Sequence, residues 1–288
     1  MGILYYMTTF DTIYQNIIKK IMGEGIEELN ERTGHKLKML PGISFQIDVE
    51  KEGFPILTLR KNPIKSPIAE QVWFITGDKN TNFLRKYTKM WDEFIEKDGT
   101  ITSAYGYRWR HHFGRDQLDQ LVKHLKEEPH SRQGVIITWD PADDGLYGKN
   151  LKGTYKKNVP CPFAFTANII GERLHLHNIV RSNDMMLGCP FDTFGFCLLM
   201  YTLAQKLGVK PGIYTHSISN AHIYDNHYAG ASELIKRKNE HPNIFPKFPE
   251  NIYDRAEQKD EKLVNEIYES FVPFYKPSDP ILGLDIVK

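Results

Sequence analysis

The chain has 288 residues, 41% hydrophobic and 25% charged, the make-up of a globular protein long enough to bury a sizeable core. Its formal net charge of +1 includes no basic tract, which excludes the electrostatic footprint of a nucleic-acid polymer or an anionic membrane surface and leaves a small anionic ligand. Cys161, Cys189 and Cys197 match neither a disulfide framework nor a paired zinc knuckle, and no run of roughly 18 apolar residues is present. With no basic leader or small-residue cleavage motif near the start, a reducing, cytoplasmic location is expected.

In chain order, residues 8–28 (TTFDTIYQNIIKKIMGEGIEE) space Phe10, Ile13, Ile17, Ile18 and Ile21 for an amphipathic helix after a Thr/Asp start. ISFQIDV (43–49) alternates like a strand. Helical spacing returns in 65–78 and in 115–129, the latter opened by Asp116 and closed by Pro129. GVIITWDP (134–141) reads as a strand stopped by proline, and 143–158, rich in Gly, Lys and Tyr, as a long surface loop. FAFTANII and RLHLHNIV flank Gly171-Glu172 and predict a hairpin. Residues 191–208 are nearly all apolar and end at Gly208, predicting a buried helix with a glycine stop. No repeat and no linker divides the chain, so one domain over 1–288 is expected.

Several residues carry candidate chemistry. Cys161 lies between two prolines that restrict its backbone, as suits a buried structural thiol or a nucleophile whose thiolate is favoured by Arg181. Arg181-Ser182-Asn183-Asp184 closes a strand, where a guanidinium and a hydroxyl suit a phosphate monoester or a salt-bridged turn. His222 and Tyr224 alternate, so on a strand they share a face and can reach a sugar hydroxyl. His175 and His177 alternate too, but no Cys or carboxylate stands at ligand spacing, and no metal is expected. Trp73, Trp91, Phe94 and Trp109 read as core residues.

Taken together, ERTG (31–34), GFPILT (53–58), AEQVWFITGD (69–78), MWDEF (90–94), AYGYRWR (104–110), HSRQG (130–134), PCP (160–162), VRSNDMMLGCPFD (180–192) and NAHIYDNH (220–227) resemble the thymidylate synthase family across nearly the whole chain. The resemblance implies an α+β fold with a large mixed sheet flanked by helices, and a homodimer packed sheet to sheet. It implies a nucleoside monophosphate substrate and 5,10-methylenetetrahydrofolate as cosubstrate. Cys161 would add to C6 of the pyrimidine, Glu70 would manage protons and water at the base, and Tyr105 would stand near C5. Arg32, Arg181 and Ser182 would hold phosphate, with Arg132 and its neighbour Gln133 at the clamp across the dimer interface. His222 and Tyr224 would bind the 3′-hydroxyl. Folate would rest against Trp91, Phe94, Asp184, Leu187, Gly188 and Phe191, with Asp184 also counted on the nucleotide side.

Departures from the family pattern carry information. Asp192 stands where synthases have asparagine, whose amide can both accept from N3–H and donate to O4 of uracil. A carboxyl instead accepts from the 4-amino group of cytosine and, with one added proton, satisfies N3 as well; the mismatch with uracil costs on the order of 1–3 kcal/mol per unsatisfied buried group. Pro162 replaces a histidine, Thr166 a glutamine, and Gln133 the second arginine of a Ser-Arg-Arg clamp. Asp192 therefore points to the cytidylate 5-hydroxymethyltransferase branch, with dCMP favoured by Ser182 and CMP as the other candidate. The alternative is a divergent thymidylate synthase converting dUMP to dTMP; a catalytically idle nucleotide-binding protein on the same fold is the reading from outside enzymology.

Overall fold

The computed structural model describes residues 8–144 and 159–287; most of the surface loop expected at 143–158 lies outside the described residues. Helix α1 spans Thr9–Glu24 and buries Phe10, Tyr14, Ile18 and Ile21. It stops short of residue 28 because Gly25 turns extended, and a Cβ there would lie 2.4 Å from the Ile21 carbonyl oxygen. The next residues therefore form strand β1, Ile26–Asn30, rather than more helix.

Strand β2, His35–Asp48, is twice the length its alternating segment suggested and runs into the short helix α2, Val49–Glu52. Helix α3 is Lys65–Thr76 and α4 is the single turn Tyr105–Tyr107. Helix α5, Gln117–Glu127, is capped as its sequence predicts, with the Asp116 carboxylate accepting from the Asp119 N–H at 3.0 Å. Strands β3 (Val135–Ile137), β4 (Pro162–Ile170) and β5 (Arg173–Val180) follow. The β4–β5 hairpin turns on Gly171 and Glu172, both at positive φ (59° and 60°), the pairing a two-residue hairpin turn requires.

Beyond it come β6 (Asn183–Asp184), α6 (Gly188–Leu207), β7 (Lys210–Tyr224), α7 (Tyr228–Lys236), α8 (Ile252–Glu257) and α9 (Leu263–Glu269). Helix α6 begins three residues before the apolar run because Pro190 is tolerated in a first turn, and it ends at Gly208 in the left-handed conformation.

Among the described residues, one mixed sheet of seven strands has the order β1-β2-β7-β5-β4-β3, with β6 added beside β7. Its strands pair antiparallel except β5 and β6, which run parallel to β7. Leu174, Leu176 and Val180 of β5 face the core beneath α6, and α3 packs on α6 from outside. The opposite face carries half-buried His175 and His177, and Thr166 pairs with His177 there. Thr166 thus lies on the face away from the core. The parallel register brings the C-terminal ends of β5, β6 and β7 together, and the candidate site is built there. Among the described residues, no helix is long and apolar enough to cross a membrane.

Candidate active site

Cys161 sits at the entry to β4, where Pro160 and Pro162 fix the approach of the chain. Arg181, the residue after β5, clamps this entry: Nε donates to the Pro160 carbonyl and Nη2 to the Val159 carbonyl, each at 2.9 Å. The same Nη2 lies 3.5 Å from Cys161 Sγ, and the guanidinium stacks over Trp139 at 5.7 Å. The thiol is not activated outright. Burial pushes it up, and the negative charge of Asp192 adds to that, against the lowering effects of Arg181 and Arg32. Arg181 favours the thiolate as the sequence suggested, but in the free protein desolvation outweighs it.

Tyr105 reaches the nucleophile from α4, its hydroxyl accepting from the Cys161 N–H at 3.3 Å. That helical turn lies hard against the end of α3, since a Cβ on Gly106 would fall 1.9 Å from the Phe74 carbonyl oxygen. Only glycine allows Tyr105 this placement. Glu70, from the middle of α3, accepts a hydrogen bond from Trp91 Nε1, and burial raises its carboxyl to about 7 despite that bond. Trp91 is 7% exposed and packs edgewise on Trp73, Phe74 and Tyr105, so it is core and site at once. Trp73 and Trp109 are wholly core.

Asp192, in the second turn of α6, is also raised to about 7, by burial first and then by the charges of Glu70 and Asp184, against a hydrogen bond from Asn183 Nδ2 at 2.8 Å. Both carboxyls keep some accessible surface. Protein desolvates both strongly without enclosing either completely.

Arg32 on the β1–β2 turn, Arg181, Ser182, and His222 and Tyr224 at the end of β7 line one groove of roughly 510 Å³. Two guanidiniums and a hydroxyl at one end of such a groove suit a phosphate monoester. Burial lowers His222, keeping its imidazole neutral enough to exchange hydrogen bonds with a hydroxyl. Asp184 turns the chain into α6, accepting from the N–H groups of Met186 (2.8 Å) and Leu187 (3.3 Å). Leu187, Gly188 and Phe191 at the start of α6, and Phe94 against Trp91, remain partly accessible.

Arg132 and Gln133 are not brought to this groove. They are exposed beside β3, at the opposite edge of the sheet from β1 and β2, so within one chain they cannot close on a phosphate held by Arg32 and Arg181. His175 and His177 are engaged structurally, His175 with the Ile170 carbonyl and the Ile213 N–H and His177 with Ser217. Sequence reading missed His112, Asp140 and Asp143, whose ligand-type atoms lie within 4.8 Å of one another, and whose charge is met by nearby Arg108.

The family model for thymidylate synthase matches residues 12–270. The chain belongs to the thymidylate synthase family. Membership places it among enzymes that transfer a folate-borne one-carbon unit to a pyrimidine nucleotide, with methylenetetrahydrofolate as cosubstrate. Asn183 and His216, which hold Asp192 from behind, went unnoticed in the sequence except as part of the Arg-Ser-Asn-Asp run. Their role depends on β6 pairing with β7, where the register sets Asn183 opposite Ala221, a residue distant in the chain.

Proposed function

We propose that this member of the family is a folate-dependent cytidylate 5-hydroxymethyltransferase, with dCMP the favoured substrate and CMP the other. The observation that carries this is Asp192: a carboxyl, near neutrality in charge, whose field reaches both the Cys161 thiol and the Tyr105 hydroxyl. Against cytosine it accepts from the 4-amino group and, with one proton, satisfies N3.

In this reading Cys161 Sγ bonds to C6 and makes C5 a nucleophile, splitting one difficult substitution into easier steps. Arg181 offsets the thiolate charge, and Arg32, Arg181 and Ser182 hold the phosphate. His222 and Tyr224 bind the sugar hydroxyl. Methylenetetrahydrofolate supplies a one-carbon electrophile when bound, and partly accessible Phe94, Asp184, Leu187, Gly188 and Phe191, with Trp91 buried beside Phe94, would hold its flat ring. Glu70 and Tyr105 take part in removing the C5 proton as tetrahydrofolate departs and leaves an exocyclic methylene group on C5, and Glu70 orients the water that adds to that group before the Sγ–C6 bond breaks. Arg132, with Gln133 beside it, would complete the phosphate clamp from a second copy of the chain, which requires a homodimer.

The alternative, a divergent thymidylate synthase acting on dUMP, is favoured by one observation, that Trp91 is in place beside Glu70 and Tyr105. The deciding experiment measures tritium release from C5-labelled dCMP, CMP and dUMP with methylenetetrahydrofolate, with product masses. Release from a cytosine nucleotide with a gain of CH₂O is expected. Release from dUMP alone with a gain of CH₂ overturns the proposal. Loss of all release in Cys161→Ser is expected; retained release would return the idle-binder reading.

A further inference from the structure

Behind Asp192 lies a row of buried polar side chains that no step above uses. Asn183 Nδ2 donates to Asp192 Oδ2 at 2.8 Å, Asn183 Oδ1 faces His216 Nε2 at 3.1 Å, and His216 Nδ1 faces the Tyr214 hydroxyl at 2.7 Å. Asn183, His216 and Tyr214 are 2%, 0% and 0% exposed. The directions of these bonds are fixed by chemistry. An amide oxygen only accepts, so His216 Nε2 carries the hydrogen; Nδ1 is then bare and accepts from Tyr214 O–H, with Asn178 Nδ2 as a second donor at 3.5 Å. Burial keeps the imidazole neutral, lowering it to about 3. Every hydrogen bond in the row therefore points toward Asp192.

We propose that Asn183, His216 and Tyr214 are positioning residues that set the polarity of the Asp192 carboxyl: they commit Oδ2 as an acceptor, leave Oδ1 as the oxygen that carries a proton, and so favour cytosine over uracil. This rests on the reading of Asp192 as the group that recognises the base. With Oδ2 toward position 4 of the ring, cytosine presents an amino donor to a fixed acceptor, and its N3 meets Oδ1. Uracil in the same placement sets O4 against Oδ2, acceptor against acceptor, and the row prevents the carboxyl from reversing.

The test measures kcat/KM for dCMP, CMP and dUMP against pH, with thermal denaturation as the folding control. His216→Leu frees the Asn183 amide to rotate and is expected to lower the cytosine-to-uracil ratio about tenfold, within the range for one mispaired buried group. The effect should fall mainly on KM and move the pH profile of the cytosine reaction. Glu70 on α3, Asp184 on β6, Cys161 before β4, Tyr105 on α4 and Cys189 on α6 share that field and keep their own partners in this variant, whereas Tyr214 on β7 loses its acceptor. His216→Gln can donate to Asn183 and accept from Tyr214, so it should restore the ratio to within about threefold. Tyr214→Phe removes a single oxygen and should lower the ratio severalfold; it decides the matter if His216→Leu does not fold. Dimming of all three substrates alike at constant ratio, or failure of His216→Gln to rescue, overturns the inference while leaving the reading of Asp192 intact. Turnover of dUMP alone by the wild-type chain overturns both.

Discussion

Replacing Trp91 by phenylalanine tests the electrostatic account of the cleft more directly than any other single change. The ring remains to pack against Trp73, Phe74 and Tyr105, but the indole N–H that donates to Glu70 is lost. A hydrogen bond to a charged group is worth about 1.5–3 kcal/mol, and each pKa unit corresponds to about 1.4 kcal/mol, so Glu70 should rise by one to two units above its present value of about 7. The sign for stability follows from linkage. Glu70 has a folded pKa above its unfolded value, so its contribution is fully present below about pH 4.5 and is lost as pH rises through about 7. In Trp91→Phe that loss extends to higher pH and grows. Urea denaturation at pH 5 and pH 9 should therefore show the variant's destabilisation increasing by about 1.5–3 kcal/mol between the two, while any packing loss is the same at both and cancels. The increment should vanish when Glu70→Gln is combined with it. A destabilisation that does not change with pH would refute the coupling of Glu70 to Trp91.

Three further outcomes are expected. Arg181→Gln removes the cation that lowers the Cys161 thiol, so alkylation of Cys161 by iodoacetamide should need a higher pH; buried Cys189 and Cys197 contribute little to the signal, and an unchanged profile would mean that Arg181 acts only on the loop carbonyls. Gly106→Ala forces a Cβ into the Phe74 carbonyl and should cost about 1–3 kcal/mol in urea denaturation, with turnover reduced as Tyr105 shifts; a neutral effect would show that α4 can move freely against α3. Asp11, buried in α1 and raised from its ordinary value to about 6 by desolvation, accepts from Thr58 N–H and hydroxyl; the stability its protonated form contributes is lost as pH rises from about 4 to about 6, so Asp11→Asn should flatten the fall in stability between those pH values, and an equally steep fall would assign it elsewhere.

How far the sequence disclosed this molecule depends on how local each decision is. The β4–β5 hairpin and helix α5 were legible because their signals are complete within a few residues: a Gly-Glu turn that accepts positive φ, and an aspartate cap before an amphipathic run. The end of α1 was not, because the helical spacing of Ile13 to Ile21 says nothing of Gly25, whose extended backbone hands the chain to β1. The fifteen residues of β7 were glimpsed only at their last three or four, since a strand that pairs with β2, β5 and β6 at once is chosen by partners distant in sequence. The site divides in the same way. Cys161, Glu70, Tyr105, Arg181 and Asp192 were legible as motif residues, whereas the support of Asp192 by Asn183 and His216 is written only in the β6–β7 register.

That division bears on how the cleft discriminates. Two carboxyls, Glu70 on α3 and Asp192 on α6, are each raised to about 7 by burial, and the charge of Glu70 adds to the rise at Asp192. Near pH 7 the pair thus retains a proton that an exposed aspartate would have released. In the proposed function that retained proton is what a cytosine N3 needs, and the Asn183 bond to Oδ2 determines which oxygen offers it. On that proposal, a change from asparagine to aspartate at one position is an incomplete description of how cytosine would be chosen. The residue supplies the carboxyl, burial beside Glu70 supplies its proton, and β7 supplies its direction.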